Sequence, residues 1–247
     1  MNFYQGNGVG QFDGNWAGGA NAMFPKAKGF WAAQSNLEMY DIVILSCEGA
    51  QNPDTKQDPA LANMKAYADE GGRVFASHWH NIWIGGAWNS GGNASGATGN
   101  MAWLPIAMWQ NANDPGSPDL IDEQNNPKGP SFAQWMLNVM GSTTRDQIAL
   151  QSGTDRSTAA SVDMNLAERW TYTSNGNKPQ NFQFTTPQES DPGMRCGKVV
   201  FSDMHVSGGP GQGNYPSSCG SSLALTPQEK ALAFMFFDIS SCVGTIF

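Results

Sequence analysis

Apolar residues gather in three short continuous runs and several helical stripes. The runs are Ile42 to Leu45 in "YDIVILSCEG", the strand-like "RVFAS" at 73–77, and Val199 to Phe201 in "GKVVFSDMHVSGG". Short runs rich in β-branched residues predict strands buried on both faces of a parallel sheet. Between the first two runs, "DPALANMKAYADEGG" predicts a helix. Pro59 suits its first turn, Leu61, Met64, Tyr67 and Ala68 share one face, and Gly71–Gly72 ends it. Strand, helix and strand with short links form a βαβ unit. A second stripe, Phe132, Trp135, Met136 and Val139, predicts a helix over 131–140. A third lies in "TPQEKALAFMFFDIS", where Leu232, Met235, Phe236 and Ile239 form the buried face. There Thr226 is the N-cap, Pro227 opens the helix and Glu229 completes a capping box. A short helix is expected within 27–36 and an alternating strand at "NFQFTT"; "TAASVDMNLAERWTY" fits either a helix or an extended piece.

Residues 79–130 show little periodicity and are rich in Gly, Asn, Pro and Trp, with "GGAWNSGGNASGATGN" the lowest in complexity. Long loops inside a compact domain are uncommon and often serve as lids or binding surfaces. No repeat or linker divides the chain, so residues 1–247 are read as one domain with a loop-rich insertion at 79–130.

Charge narrows the partners. Only 14% of residues are charged and the net charge is −8, with no Lys/Arg cluster to neutralise phosphates, which argues against nucleic acid and anionic membranes. No apolar run is long enough to span a bilayer. The start, "MNFYQGNGVG", has neither the basic nor the apolar stretch of a secretory leader. The four cysteines (Cys47, Cys196, Cys219 and Cys242) lack CxxC spacing. Their even number, in a lysine-poor chain rich in Asn, Gly, Ser and Trp, points to an extracellular or periplasmic protein with a disulfide among Cys196, Cys219 and Cys242.

The candidate chemistry sits at the strand tips. Cys47 and Glu48 follow the first run, "SHWH" follows the second, and Asp203 and His205 follow the third. Ligands of open α/β sheets bind beyond the carboxyl ends of parallel strands. The chain has three histidines, and all of them fall at these tips. Residues two apart in extended chain share a face, so His78 and His80 are expected to chelate one ion with His205 as the third ligand. Such a set leaves an open position on Zn²⁺, with Cu or Fe as alternatives. Glu48, Asp203 or Cys47 would add a ligand or act as general base. A cysteine nucleophile at Cys47, with His78 or His205 as its base, is the second option. No G-x-S-x-G elbow surrounds Ser77 or Ser202, and no phosphate loop or dinucleotide fingerprint is present. Trp79, Trp83, Trp88 and Trp103 are candidates to line the pocket and stack on a sugar ring.

"YDIVILSCEG", "YADEGGRVFASHWH" and "CGKVVFSDMHVS" together resemble trehalose-utilisation (ThuA-like) domains, flavodoxin-like relatives of the class I glutamine amidotransferases. The resemblance covers residues 37–84 and 195–243, and is closer still to a group of secreted bacterial domains of unassigned function. It implies a flavodoxin-like open parallel sheet flanked by helices. It also puts His78 where amidotransferases carry their nucleophilic cysteine, and His205 at the family's late histidine. His80 has no counterpart, and no apolar run before residue 37 supplies the family's first strand.

The expectation is therefore a secreted, metal-dependent hydrolase acting on a carbohydrate or polymer-derived substrate, small molecule or glycan, through a three-histidine site at the carboxyl edge of the strands. The alternative is a non-catalytic module that binds glycan or protein through its Trp-rich loop.

Overall fold

A computed structural model describes residues 1–7, 23–87, 97–110, 116–151, 156–206 and 225–241. The strands, in chain order, are β1 (Ile42–Leu45), β2 (Arg73–Ser77), β3 (Ala107–Trp109), β4 (Asp119–Ile121) and β5 (Gln147–Ile148). They continue as β6 (Ala159–Val162), β7 (Glu168–Thr173), β8 (Pro179–Thr186) and β9 (Gly197–Ser202). The helices are α1 (Ala27–Phe30), α2 (Gln34–Leu37), α3 (Asp58–Asp69), α4 (Ile82–Gly85), α5 (Gly129–Asn138) and α6 (Pro227–Ser240).

Seven strands form one sheet in the order β1-β2-β9-β8-β7-β4-β5, while β3 and β6 pair as a separate ribbon. The chain thus has an α/β fold, an open sheet flanked by helices. Its parallel part is β1, β2 and β9, the three apolar runs of the sequence. The other four strands extend the sheet antiparallel, β8 alongside β9 and then β7, β4 and β5.

Strand alternation divides the core between the two faces. Val43, Leu45, Val74, Ala76, Val199 and Phe201 pack with Leu61, Met64 and Tyr67 of α3 and with Trp31, Trp83 and Trp103. On the opposite face, Phe75 and Val200 meet Ile239 of α6. Farther along that face, Phe132 and Met136 of α5 pack with Trp170 and with Ala231 and Met235 of α6. Strands covered on both sides need apolar residues at successive positions, which is why β2 and β9 read as continuous runs. The edge strand β1 differs, because Ile44 is 51% exposed. Among the described residues no helix covers Ile44, while Ile42 packs at the margin of the cluster that holds Phe75, Val200 and Ile239.

The capping box of α6 is present as the sequence predicts, with Thr226 accepting from the Glu229 amide and Glu229 closing back on Thr226. "TAASVDMNLAERWTY" takes the extended alternative, as β6 and β7, whereas the single helix expected within 27–36 divides into α1 and α2. "NFQFTT" lies within a longer strand, β8, buried on both faces except at Thr185. Its polar face survives burial because Asn181 donates to Thr171 Oγ1 at 2.7 Å and Gln183 to Glu168 at 2.7 Å. A buried ion pair fastens α6 to the sheet: Lys198 Nζ of β9 donates to the Asp238 carboxylate and carbonyl, each at 3.0 Å.

Candidate metal centre

The register of the parallel strands brings the tips together. Leu45 pairs with Ala76, and Ser77 pairs with Ser202, so Cys47, His78 and His205 emerge at one edge of the sheet. Cys47 Sγ lies 3.3 Å from His78 Nδ1, and the His78 and His205 rings are 4.9 Å apart between centroids. One ligand atom from each of the three residues lies within 4.8 Å of the others. This cluster could hold a metal ion.

The local backbone explains how His78 gets there. β2 ends at Ser77, and His78–Asn81 is a single turn of 3-10 helix. His78 makes the bend with φ of 44°, in the left-handed region. A side chain with a Cβ pays about 1–3 kcal/mol for that conformation and holds it only where the surroundings over-determine it. The bend turns the imidazole over the sheet edge, toward Cys47 and His205.

The same turn removes His80 from the expected ligand set. In a 3-10 helix, residues two apart point in different directions rather than sharing a face. His80 is buried, and both of its ring nitrogens are engaged. The Trp83 indole N–H donates to Nδ1 at 2.9 Å, and Nε2 lies 2.8 Å from the Ser46 carbonyl. An indole nitrogen only donates, so Nδ1 must accept, and the ring proton sits on Nε2, donated to Ser46.

The two carboxylates expected at the site are committed elsewhere. Glu48 Oε2 accepts from Lys56 Nζ at 2.6 Å and Asn52 Nδ2 at 3.0 Å, and its Oε1 is 4.0 Å from His80. Asp203 is fully buried and bonds the Thr158 amide at 2.8 Å, the Ala159 amide at 3.1 Å and the Thr158 hydroxyl. It clamps the 156–159 segment to the end of β9 and does not reach the cluster as a ligand. Burial raises its carboxyl to about 7 against the lowering effect of those bonds.

Of the four tryptophans expected in the pocket, Trp79 meets the cluster, half-buried, with its ring 4.6 Å from that of His78. Trp83 and Trp103 are wholly buried core residues, packed edge-to-face against Trp31 and Phe184. Their apolar area outweighs their one polar atom, so they fill the core beneath the site. Trp88 lies outside the described residues. Cys47 and Cys196 are free thiols, while Cys219 and Cys242 lie outside the described residues.

The electrostatics suit metal ligands. Burial lowers His78 to about 3, helped by His205 and Arg156, and burial with Arg156 lowers His205 to about 4. Both imidazoles are therefore neutral at ordinary pH. Burial raises the Cys47 thiol, opposed by the backbone amides of Gly49 and Trp79. Nε2 of His78 and Nε2 of His205 are buried without a hydrogen-bond partner among the described residues. Unpaired buried nitrogens are costly, and a bound cation would relieve that cost for whichever of them it engages. The residues present thus fit a borderline divalent ion.

Nothing in the sequence singles out Arg156. Its charge acts on Cys47, His78 and His205 together. Backbone bonds hold it, with its amide donating to the Asp203 carbonyl at 3.2 Å and its carbonyl accepting from Gln180 at 2.6 Å. Its stretch, "SGTDRST", carries no periodic signal, and only the long-range contact with the tip of β9 reveals it.

No protein-family model matches the chain, and no curated protein matches it. Among solved structures it is similar to the cytoplasmic protein STM3548 from Salmonella typhimurium, at 14% identity and a TM-score of 0.47, over 90% of this chain and 81% of that one. No helix among the described residues is long and apolar enough to cross a membrane.

Proposed function

We propose that the protein is a metal-dependent hydrolase whose ion is held by Cys47, His78 and His205. The observation that carries this is the convergence of one thiol and two neutral imidazoles within 4.8 Å at the carboxyl edge of three parallel strands. Among the described residues no fourth protein ligand joins them. Structural zinc sites close with four protein ligands, whereas catalytic ones use three and keep a position open. Zn²⁺ suits a mixed sulfur and nitrogen set best. A bound ion would supply Lewis acidity, polarising a substrate oxygen and acidifying water toward neutrality.

The chain's own residues do the rest. His78 and His205 need no deprotonation to bind, and Cys47 gives up its proton on coordination. Trp79 offers a flat ring beside the cluster, suited to a carbohydrate or other polymer-derived substrate. Arg156 favours negative charge at the same place. Glu48 and Asp203, tied to Lys56 and Thr158, leave the acid–base work to water and substrate. The low-lysine, Asn/Gly/Ser/Trp-rich composition supports a site of action outside the cytoplasm, and the three strand-tip motifs support kinship with ThuA-like domains.

The test is to reconstitute metal-stripped protein with Zn²⁺ and screen chromogenic esters, amides and glycosides with and without the ion. Hydrolysis should require Zn²⁺ at one ion per chain and vanish in Cys47→Ser and His205→Ala. Turnover that persists in metal-stripped protein and depends on Cys47 would replace this reading with a thiol nucleophile.

A further inference from the structure

His80 is the chain's remaining histidine, and its contacts are more specific than a packing role needs. Its ring proton is fixed on Nε2, because the Trp83 indole can only donate to Nδ1. That proton goes to the carbonyl of Ser46 at 2.8 Å. The Ser46 carbonyl and the Cys47 amide belong to one planar peptide unit, so fixing the carbonyl fixes the plane from which Cys47 departs. The Gly49 amide donates to Sγ at 3.4 Å, and the Trp79 backbone amide, on the same 3-10 turn, favours the ionised thiol. His78 Nδ1 completes the grip at 3.3 Å. One turn, His78–Asn81, thus holds a proposed ligand of its own and orients the ligand from the neighbouring strand.

We infer that His80 is a positioning residue for the metal centre: its Nε2–H, aligned by Trp83, holds the Ser46–Cys47 peptide so that the thiolate faces His78 and His205. The inference rests on Cys47 being a ligand. Groups that orient a ligand through a hydrogen bond, without touching the ion, are worth about 10–100-fold in metal affinity. His80 acts one peptide farther out, through the main chain.

Cobalt(II) titration of the full chain separates this inference from the reading beneath it, because a thiolate–cobalt bond has its own near-ultraviolet charge-transfer band. The wild-type chain should bind one Co²⁺ with that band, and Cys47→Ser should lose the band. His80→Ala should bind about 10–100-fold more weakly with a diminished band. His80→Gln keeps an N–H at the reach of Nε2 and should recover most of both. Near-ultraviolet circular dichroism of each metal-free variant reports whether the fold is kept. Absence of a thiolate band in the wild type would overturn the ligand reading itself. Wild-type affinity and band in a folded His80→Ala would overturn the positioning role alone, as would a loss that His80→Gln does not recover.

Discussion

Nδ1 of His78 lies 3.3 Å from Sγ of Cys47, although the two residues leave different strands and stand 31 positions apart. The contact exists because β1 and β2 pair in parallel register and because His78 turns back over the sheet edge with φ of 44°. It joins a thiol that burial keeps protonated to an imidazole that burial keeps neutral. Neither is an ion until something draws the thiol proton away.

Metal binding at pH 7 should therefore release one proton per ion, from Cys47, and none from the histidines. Calorimetric titration of Zn²⁺ in buffers of different ionisation enthalpy gives this count directly. Affinity should rise about tenfold per pH unit below the thiol's pKa, since one proton is displaced. Release of no proton would remove Cys47 from the ligand set.

Stability of the metal-free chain should fall as pH drops below about 6.5, the unfolded histidine value. The folded values are about 3 for His78, about 4 for His80 and about 4 for His205, all depressed, so their contribution is present above the unfolded value and lost toward the folded ones. Asp203 works in the opposite sense, because its folded value is raised to about 7 and unfolding there releases a proton. Three protons taken up against one released leave a net uptake of two, a slope of at most about 3 kcal/mol per pH unit between the folded and unfolded histidine values. Urea midpoints across that range measure it, and a flat profile would contradict the neutral, buried state of the three rings.

Trp83→Ala and Trp103→Ala should each cost about 3–5 kcal/mol of stability, the usual range for emptying a buried aromatic site. Trp79→Ala should cost less, because its ring is half-exposed, and should alter the spectrum of the cobalt-loaded protein. Denaturant unfolding of the three variants checks the first part. A mild effect at Trp103 would contradict its place in the core.

Glu48→Gln strands Lys56, a wholly buried cation whose Nζ sits 2.6 Å from Glu48. Breaking a buried pair by removing one partner costs about 3–5 kcal/mol. The double change Glu48→Gln with Lys56→Met should recover part of that loss in thermal or denaturant unfolding. If Glu48 served instead as ligand or base, Glu48→Gln would lower metal affinity or turnover with little loss of stability.

Much of the parallel half was legible in the sequence, because its covered strands carry apolar residues at successive positions, Val74–Ala76 in β2 and Val199–Phe201 in β9. The capping box at Thr226 and Glu229 was legible because it is local. Less visible was the antiparallel half: Asn181 and Gln183 look like surface residues until Thr171 and Glu168 are seen beside them. At the site, strand tips located Cys47, His78 and His205, while the extended spacing assumed for His78 and His80 failed at one 3-10 turn. That turn begins at a left-handed His78, a conformation uncommon for residues other than glycine and not foreseeable from local pattern. The sequence does not tell Trp83 and Trp103, which are core residues, from pocket walls, because a Gly- and Trp-rich stretch gives no period to distinguish a buried ring from an exposed one. Arg156 and the true partners of Asp203 depend on contacts about 45 positions apart in the chain.

The most direct test is anomalous X-ray scattering from a crystal grown with Zn²⁺, recorded on both sides of the zinc edge. The account requires one strong peak among Cys47 Sγ, His78 and His205, at about 2.3 Å from sulfur and about 2.0–2.1 Å from each nitrogen, with His80 still bonded to Ser46. No peak there, or a peak that takes His80 in place of Cys47, would contradict it.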